Sequence, residues 1–161
     1  MAKYKQRISD RILKRKVLGK GAVLIEGPKW CGKTTTAKQL AKSVLDLGDS
    51  SVLKQSAQLI ELSPKTLLEG KTPRLIDEWQ ALPLIWDSIR SEVDKRGEPS
   101  QFILTGSSVL PEADETIHSG TGRFAYIKMR PMSLYESGES NGTVSLTDLF
   151  EGEPFKTQSN D

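Results

Sequence analysis

An α/β fold on a mainly parallel central sheet follows from two features of the sequence. From residue 22 onward, short apolar runs alternate with helix-length patterned segments, the way a chain encodes parallel strands joined by crossover helices. The first apolar run is followed at once by glycines and then by good helix formers, which reads as strand, loop and helix in succession.

In residues 1–20, Ile8, Ile12, Leu13 and Val17 recur at roughly helical spacing, predicting an amphipathic helix with a basic outer face. Ala22–Glu26 (A-V-L-I-E) is the first strand. Residues 33–47 read as one helix with Ala37, Leu40, Ala41, Val44 and Leu45 as its apolar positions. A second strand is expected at 51–54, followed by a helix broken around Pro64 that carries Leu59, Ile60, Leu62, Leu67 and Leu68. Arg74–Asp77 is a short strand opened by Pro73, which a strand tolerates at its start. Residues 82–93 place Leu82, Ile85, Trp86, Ile89 and Val93 on one stripe and stop at Gly97. Strands are expected at 101–105 and 124–129, separated by a polar loop at 111–122. Short helices are expected over 133–139 and Leu146–Phe150. The expected organisation is a basic arm (1–20), a core domain (21–152) and a frayed tail (153–161).

A chain of 161 residues suits one domain with a substantial core. No window approaches the 18 apolar residues of a membrane span, and the start M-A-K-Y-K-Q-R lacks a signal peptide's apolar centre. The expected compartment is the cytoplasm, with no membrane partner. One cysteine and one histidine exclude a disulfide framework and an ordinary zinc site. The net charge of +2 divides unevenly: residues 1–20 carry +7 and the remainder −5. The arm is therefore the candidate surface for a protein or DNA partner, against the plainer reading of a solvated helix docked on the domain.

Between the first strand and its helix stands G-P-K-W-C-G-K-T, Gly27 to Thr34, a full match to the phosphate-loop pattern. Glycines let the backbone curl so that N–H groups face a polyphosphate, and the following helix adds its positive end. The candidate nucleotide-binding residues are Gly27, Pro28, Lys29, Trp30, Cys31, Gly32, Lys33, Thr34 and Thr35. Lys33 is suited to the β- and γ-phosphates and the Thr34 hydroxyl to Mg²⁺. Trp30 is expected to shield the nucleotide or pack nearby, and Cys31 to be a small filler and no nucleophile.

Hydrolysis needs a second, acidic site. Arg74-Leu75-Ile76-Asp77-Glu78 ends an apolar strand in adjacent carboxylates, Asp77 suited to hold Mg²⁺ and Glu78 to activate water. Leu104-Thr105-Gly106-Ser107-Ser108 ends the next strand in hydroxyls, so Thr105 or Ser107 is a candidate for sensing the γ-phosphate. Gly120-Thr121-Gly122-Arg123 offers Arg123 as an arginine acting in trans on a neighbouring copy, which would require a homo-oligomer; the alternative is a structural ion pair. His118, in the same loop, reads as a surface residue.

Together these residues resemble the AAA+ class of P-loop ATPases, and more narrowly a prokaryotic family of predicted ATPases in which this module precedes a C-terminal domain of unknown function. The resemblance rests on Y-K-Q-R-I-S-D, A-V-L-I-E-G-P-K-W-C-G-K-T-T-T-A, P-R-L-I-D-E-W-Q, F-I-L-T-G-S-S, H-S-G-T-G-R and M-R-P-M-S-L-Y-E-S. It implies a three-layer P-loop sandwich that binds ATP and Mg²⁺ through Lys33 and Thr34, with Asp77 and Glu78 as the acidic motif and Ser107 or Thr105 as sensor. Family members are usually several hundred residues long, so the helical lid and C-terminal domain are expected to be missing here and turnover to be weak.

Three readings compete with Mg-dependent ATP hydrolysis. A signal-recognition-type GTPase would need an N-K-x-D or T-K-x-D guanine motif, which is absent. A small P-loop kinase would want an arginine-bearing lid and an acceptor pocket. A non-catalytic, nucleotide-binding interaction module would use the basic arm as its contact surface.

Overall fold

The computed structural model describes residues 4–107 and 122–152. Its strands are β1 (Ala22–Glu26), β2 (Ser43–Asp46), β3 (Arg74–Asp77), β4 (Phe102–Gly106) and β5 (Phe124–Lys128). They form one sheet in the order β2-β3-β4-β1-β5, and every pairing is parallel. The expected α/β class is borne out.

The chain divides into two units, Ser9–Pro131 and a smaller one made of Met1–Ile8 with Met132–Asp161. In the larger unit both faces of the sheet are covered, so its central strands need apolar residues at every position. In β1, Ala22 and Leu24 join one core cluster and Val23 and Ile25 the other, as a period of two requires. One face packs Ile60 of α3 (Ser50–Leu62), Leu67 of α4 (Pro64–Leu67) and Ile85, Trp86, Ile89 and Val93 of α5 (Ile85–Arg96). Trp86 stacks on Phe124 with ring centroids 4.3 Å apart. The other face is covered by Leu13 and Val17 of α1 (Ile8–Gly19) and Ala37 of α2 (Lys33–Lys38). This is the expected three-layer arrangement. The amphipathic helix of the arm is also present, with Arg11, Lys14 and Arg15 exposed.

The segment 33–62 departs from expectation. The helix predicted over 33–47 stops at Lys38, residues 43–46 form a strand, and the strand predicted at 51–54 is the first turn of α3. Two interactions decide this. The Lys42 N–H donates to the Pro73 carbonyl at 2.8 Å, and Ser43–Asp46 then pair residue for residue with Arg74–Asp77. Leu45 is buried while Val44 and Asp46 are exposed, a strand's alternation within a stretch of good helix formers. Asp49 in turn caps α3, its carboxylate accepting from the N–H groups of Ser51 and Val52.

Elsewhere the shifts are small. The helix expected from residue 82 begins at Ile85, after a 3-10 turn at Trp79–Ala81, and runs to Arg96; Gly97 ends it with φ 65°. The break at Pro64 separates α3 from α4. The helix expected over 133–139 is the single turn α6 (Leu134–Ser137), and α7 (Leu146–Phe150) lies where expected. Among the described residues, no helix is long and apolar enough to cross a membrane.

In the smaller unit, segments 129 positions apart are joined by a carboxylate. Glu136 accepts from Arg7 Nε at 3.0 Å and from the Ile8 N–H at 2.7 Å. It also closes a capping box with Ser133 at the start of α6. Burial of this carboxyl pushes its pKa up, but the bonds from the Ser133 and Ile8 N–H groups, Arg7 and the Ser133 hydroxyl outweigh burial and bring it down to about 2. Folding thus favours the ionised form. The stabilisation is complete above the ordinary value of 4.5 and is lost as pH falls through about 2. A carbon-13 titration should find Glu136 still ionised at about pH 3, where ordinary glutamates are protonated; a midpoint in the ordinary range would contradict this geometry.

Candidate functional site

Parallel pairing brings the carboxyl ends of β1, β4 and β3 together, with Glu26 opposite Gly106 and Ile76 opposite Leu104. The segments that leave those three strands therefore converge. They are the glycine loop 27–34, Ser107, and the acidic pair Asp77-Glu78.

The loop has the shape its glycines permit. A Cβ at Gly27 would stand 2.2 Å from the Met129 carbonyl oxygen, so only glycine allows that approach. Gly32 adopts φ 97°, ψ 16° immediately before α2. Cys31 is buried and its Sγ lies 3.1 Å from that same virtual Cβ, which makes it the small filler expected. Trp30 is fully exposed and lies along the cavity described below, which leaves shielding a nucleotide as the arm of its expectation that this position fits.

Lys33 is 5% exposed, and its ammonium donates to the Gly27 and Pro28 carbonyls at 2.9 Å each. With neutral carbonyls as its partners among the described residues, this buried cation is poorly compensated, and an anion brought to the loop would satisfy it better. Beside it, the Thr34 hydroxyl donates to Asp77 Oδ1 at 2.8 Å. The fully buried Thr105 hydroxyl donates to the same oxygen. Asp77, itself 5% exposed, is thus tied to α2 on one side and β4 on the other.

These residues suit Mg²⁺ and a nucleotide. Mg²⁺ takes oxygen ligands, and adjacent ligands of an octahedron with bonds of about 2.1 Å lie about 3 Å apart; Thr34 Oγ1 and Asp77 Oδ1 match that spacing. Among the described residues, no three His, Cys, Asp or Glu side chains converge to hold a metal by themselves. A cavity of about 770 Å³ runs over the site, within the usual range for small-molecule ligands. Its lining comes from the loop and the start of α2 (Lys29, Trp30, Gly32, Lys33, Thr34 and Thr35), from Leu47, Gly48 and Leu53, and from the turn after β3 (Glu78, Gln80 and Ala81).

Two residues here hold left-handed backbone without being glycine, Trp30 at φ 63° and Glu78 at φ 53°. That conformation costs on the order of 1 kcal/mol for a residue with a Cβ. At Glu78 it turns the chain sharply at the end of β3, so that Trp79 is buried and Gln80 returns to the site. Gln80 Nε2 donates to Glu78 Oε2 and reaches Ser107 Oγ at 3.4 Å. Gln80 was not among the expected site residues, and its position two residues after Glu78 was the only signal available.

Arg123 does not join this site. It lies just before β5, whose first residue pairs with Ala22, about 13 Å of strand away from the loop. Its guanidinium is ion-paired with Asp94, the structural alternative weighed from sequence. That hydrogen bond holds the Asp94 carboxyl below its ordinary pKa. Ser108, His118, Gly120 and Thr121 lie outside the described residues.

The family model for the AAA domain matches residues 19–138, a span that contains the loop, the acidic pair and all five strands. The chain belongs to the AAA domain family. Membership makes it a nucleotide-binding domain of ATPase type. The domain is also similar to an uncharacterized protein of Mycobacterium bovis and to one of Mycobacterium tuberculosis, each 27% identical over 120 residues. The match covers 73% of this chain and 27% of either relative, so the chain spans about a quarter of their length.

Because the AAA domain's loop depends on backbone contact at Gly27, Gly27→Ala should weaken nucleotide binding at least tenfold by calorimetry. Unchanged affinity would contradict the close approach to Met129.

Proposed function

We propose that this AAA domain binds ATP with Mg²⁺ and hydrolyses it to ADP and phosphate. The observation that carries the reading is the contact between Thr34 and Asp77 beside a buried Lys33, with Glu78 on the adjoining turn. A solvated acidic strand end would not bury Asp77 against two hydroxyls.

Bound Mg²⁺ would neutralise phosphate charge and polarise the bond to be broken. The chain's own residues do the rest. Lys33 exchanges the Gly27 and Pro28 carbonyls for β- and γ-phosphate oxygens. Thr34 and Asp77 hold the metal's side of the site. Glu78 lines the cavity, where its carboxylate can take a proton from an attacking water. Of the two sensor candidates Ser107 is favoured, because the Thr105 proton is already committed to Asp77 and Ser107 instead accepts from Gln80.

Trp30, exposed along the cavity, reports binding. Mg-ATP should change its fluorescence, and Lys33→Ala should abolish the change. In a phosphate-release assay Glu78→Gln should lower kcat by about 10²–10⁴, the usual worth of a general base, while leaving the fluorescence response intact. Equal, slow phosphate release by wild type and Glu78→Gln would overturn the hydrolytic reading and leave a nucleotide-binding module. If Arg123 acts in the site of a second copy, Arg123→Ala should lower turnover without altering affinity, and specific activity should rise with protein concentration; specific activity independent of concentration would remove that role.

A further inference from the structure

Gln80 lines the cavity and touches two residues that do chemistry in the proposed site. Its amide nitrogen carries two hydrogens. One faces the Glu78 carboxylate and the other the Ser107 hydroxyl. The amide's orientation is set by chemistry, since an ionised carboxylate only accepts and must meet the NH₂ end. The other end, Oε1, is buried and has no hydrogen-bond partner among the described residues.

The surroundings hold this side chain in place. A Cβ at Gly106 would stand 2.7 Å from Gln80 Oε1 and 2.9 Å from Trp79 Nε1, so the bare backbone at the end of β4 is what admits both side chains. The left-handed turn at Glu78 returns Gln80 to a point between the two strand ends. A glutamine at the surface would need neither feature.

We propose that Gln80 is a positioning residue that couples the γ-phosphate sensor Ser107 to the base Glu78. This rests on the hydrolytic reading above. With no phosphate present, the amide fixes Glu78 by one hydrogen and engages Ser107 by the other. A γ-phosphate that draws the Ser107 hydroxyl toward itself shifts the acceptor on which Gln80 rests. The amide follows, and Glu78 is released or re-aimed toward water only when a triphosphate is bound. The unpartnered Oε1 supplies an acceptor for that water or for the moved hydroxyl.

The test reads the Gln80 side-chain amide directly by nitrogen-15 NMR, its signals assigned by their loss in Gln80→Ala. Mg-AMP-PNP should move the pair, Mg-ADP should leave it near its starting position, and Ser107→Ala should abolish the difference. In kinetics, Gln80→Met, which keeps the length but has no hydrogen to donate, and Gln80→Ala should each lower kcat at least tenfold while the Mg-ATP affinity reported by Trp30 stays within about twofold. Equal amide shifts with ADP and AMP-PNP, or a response that survives Ser107→Ala, would overturn the coupling while leaving nucleotide hydrolysis standing. Failure of AMP-PNP to perturb either Trp30 or the loop would overturn the proposed function and this inference with it.

Discussion

The carboxyl edge of the sheet is organised around one buried carboxylate, Asp77, and the two hydroxyls that hold it. Thr34 brings the start of α2 to it and Thr105 brings β4. A buried charge is expensive unless it is hydrogen-bonded, so the contacts that compensate Asp77 also fix the spacing of three elements. The glycine loop, the acidic turn and β4 are registered to one another through that oxygen. Lys33 lies at the same edge, held by loop carbonyls that an anion can replace.

The sheet order makes such a meeting possible. With β4 between β1 and β3, the loop after β1 and the acids after β3 are separated by one strand, and the hydroxyls that end that strand fall between them. Two glycines make the fit close: Gly27 lets the loop approach Met129, and Gly106 lets Trp79 and Gln80 fold over the end of β4. Side chains at either position would force the backbone apart where the chemistry is placed.

How much of this is legible in the sequence follows from how local each cause is. The loop Gly27–Thr34 and the R-L-I-D-E run announce themselves because their function is written in consecutive residues. The strand Ser43–Asp46 does not, because nothing within residues 33–47 distinguishes it from helix; its pairing with Arg74–Asp77, about 30 residues on, makes it a strand. Asp49 was a local cap signal and could have placed the start of α3. Gln80 is signalled only by its place two residues after Glu78, since its contacts depend on the turn at Glu78 and on the bare backbone at Gly106. The same holds for the Arg7–Glu136 pair, made by segments from the two ends of the described chain.

A crystal structure with Mg-AMP-PNP tests whether Asp77, Thr34 and Lys33 are arranged for a metal-bound polyphosphate. The triphosphate should lie in the loop, with the Lys33 ammonium moved from the Gly27 and Pro28 carbonyls onto phosphate oxygens and the metal on the Thr34 and Asp77 side. A nucleotide bound elsewhere, or a Lys33 still resting on those carbonyls with the nucleotide in place, would contradict it.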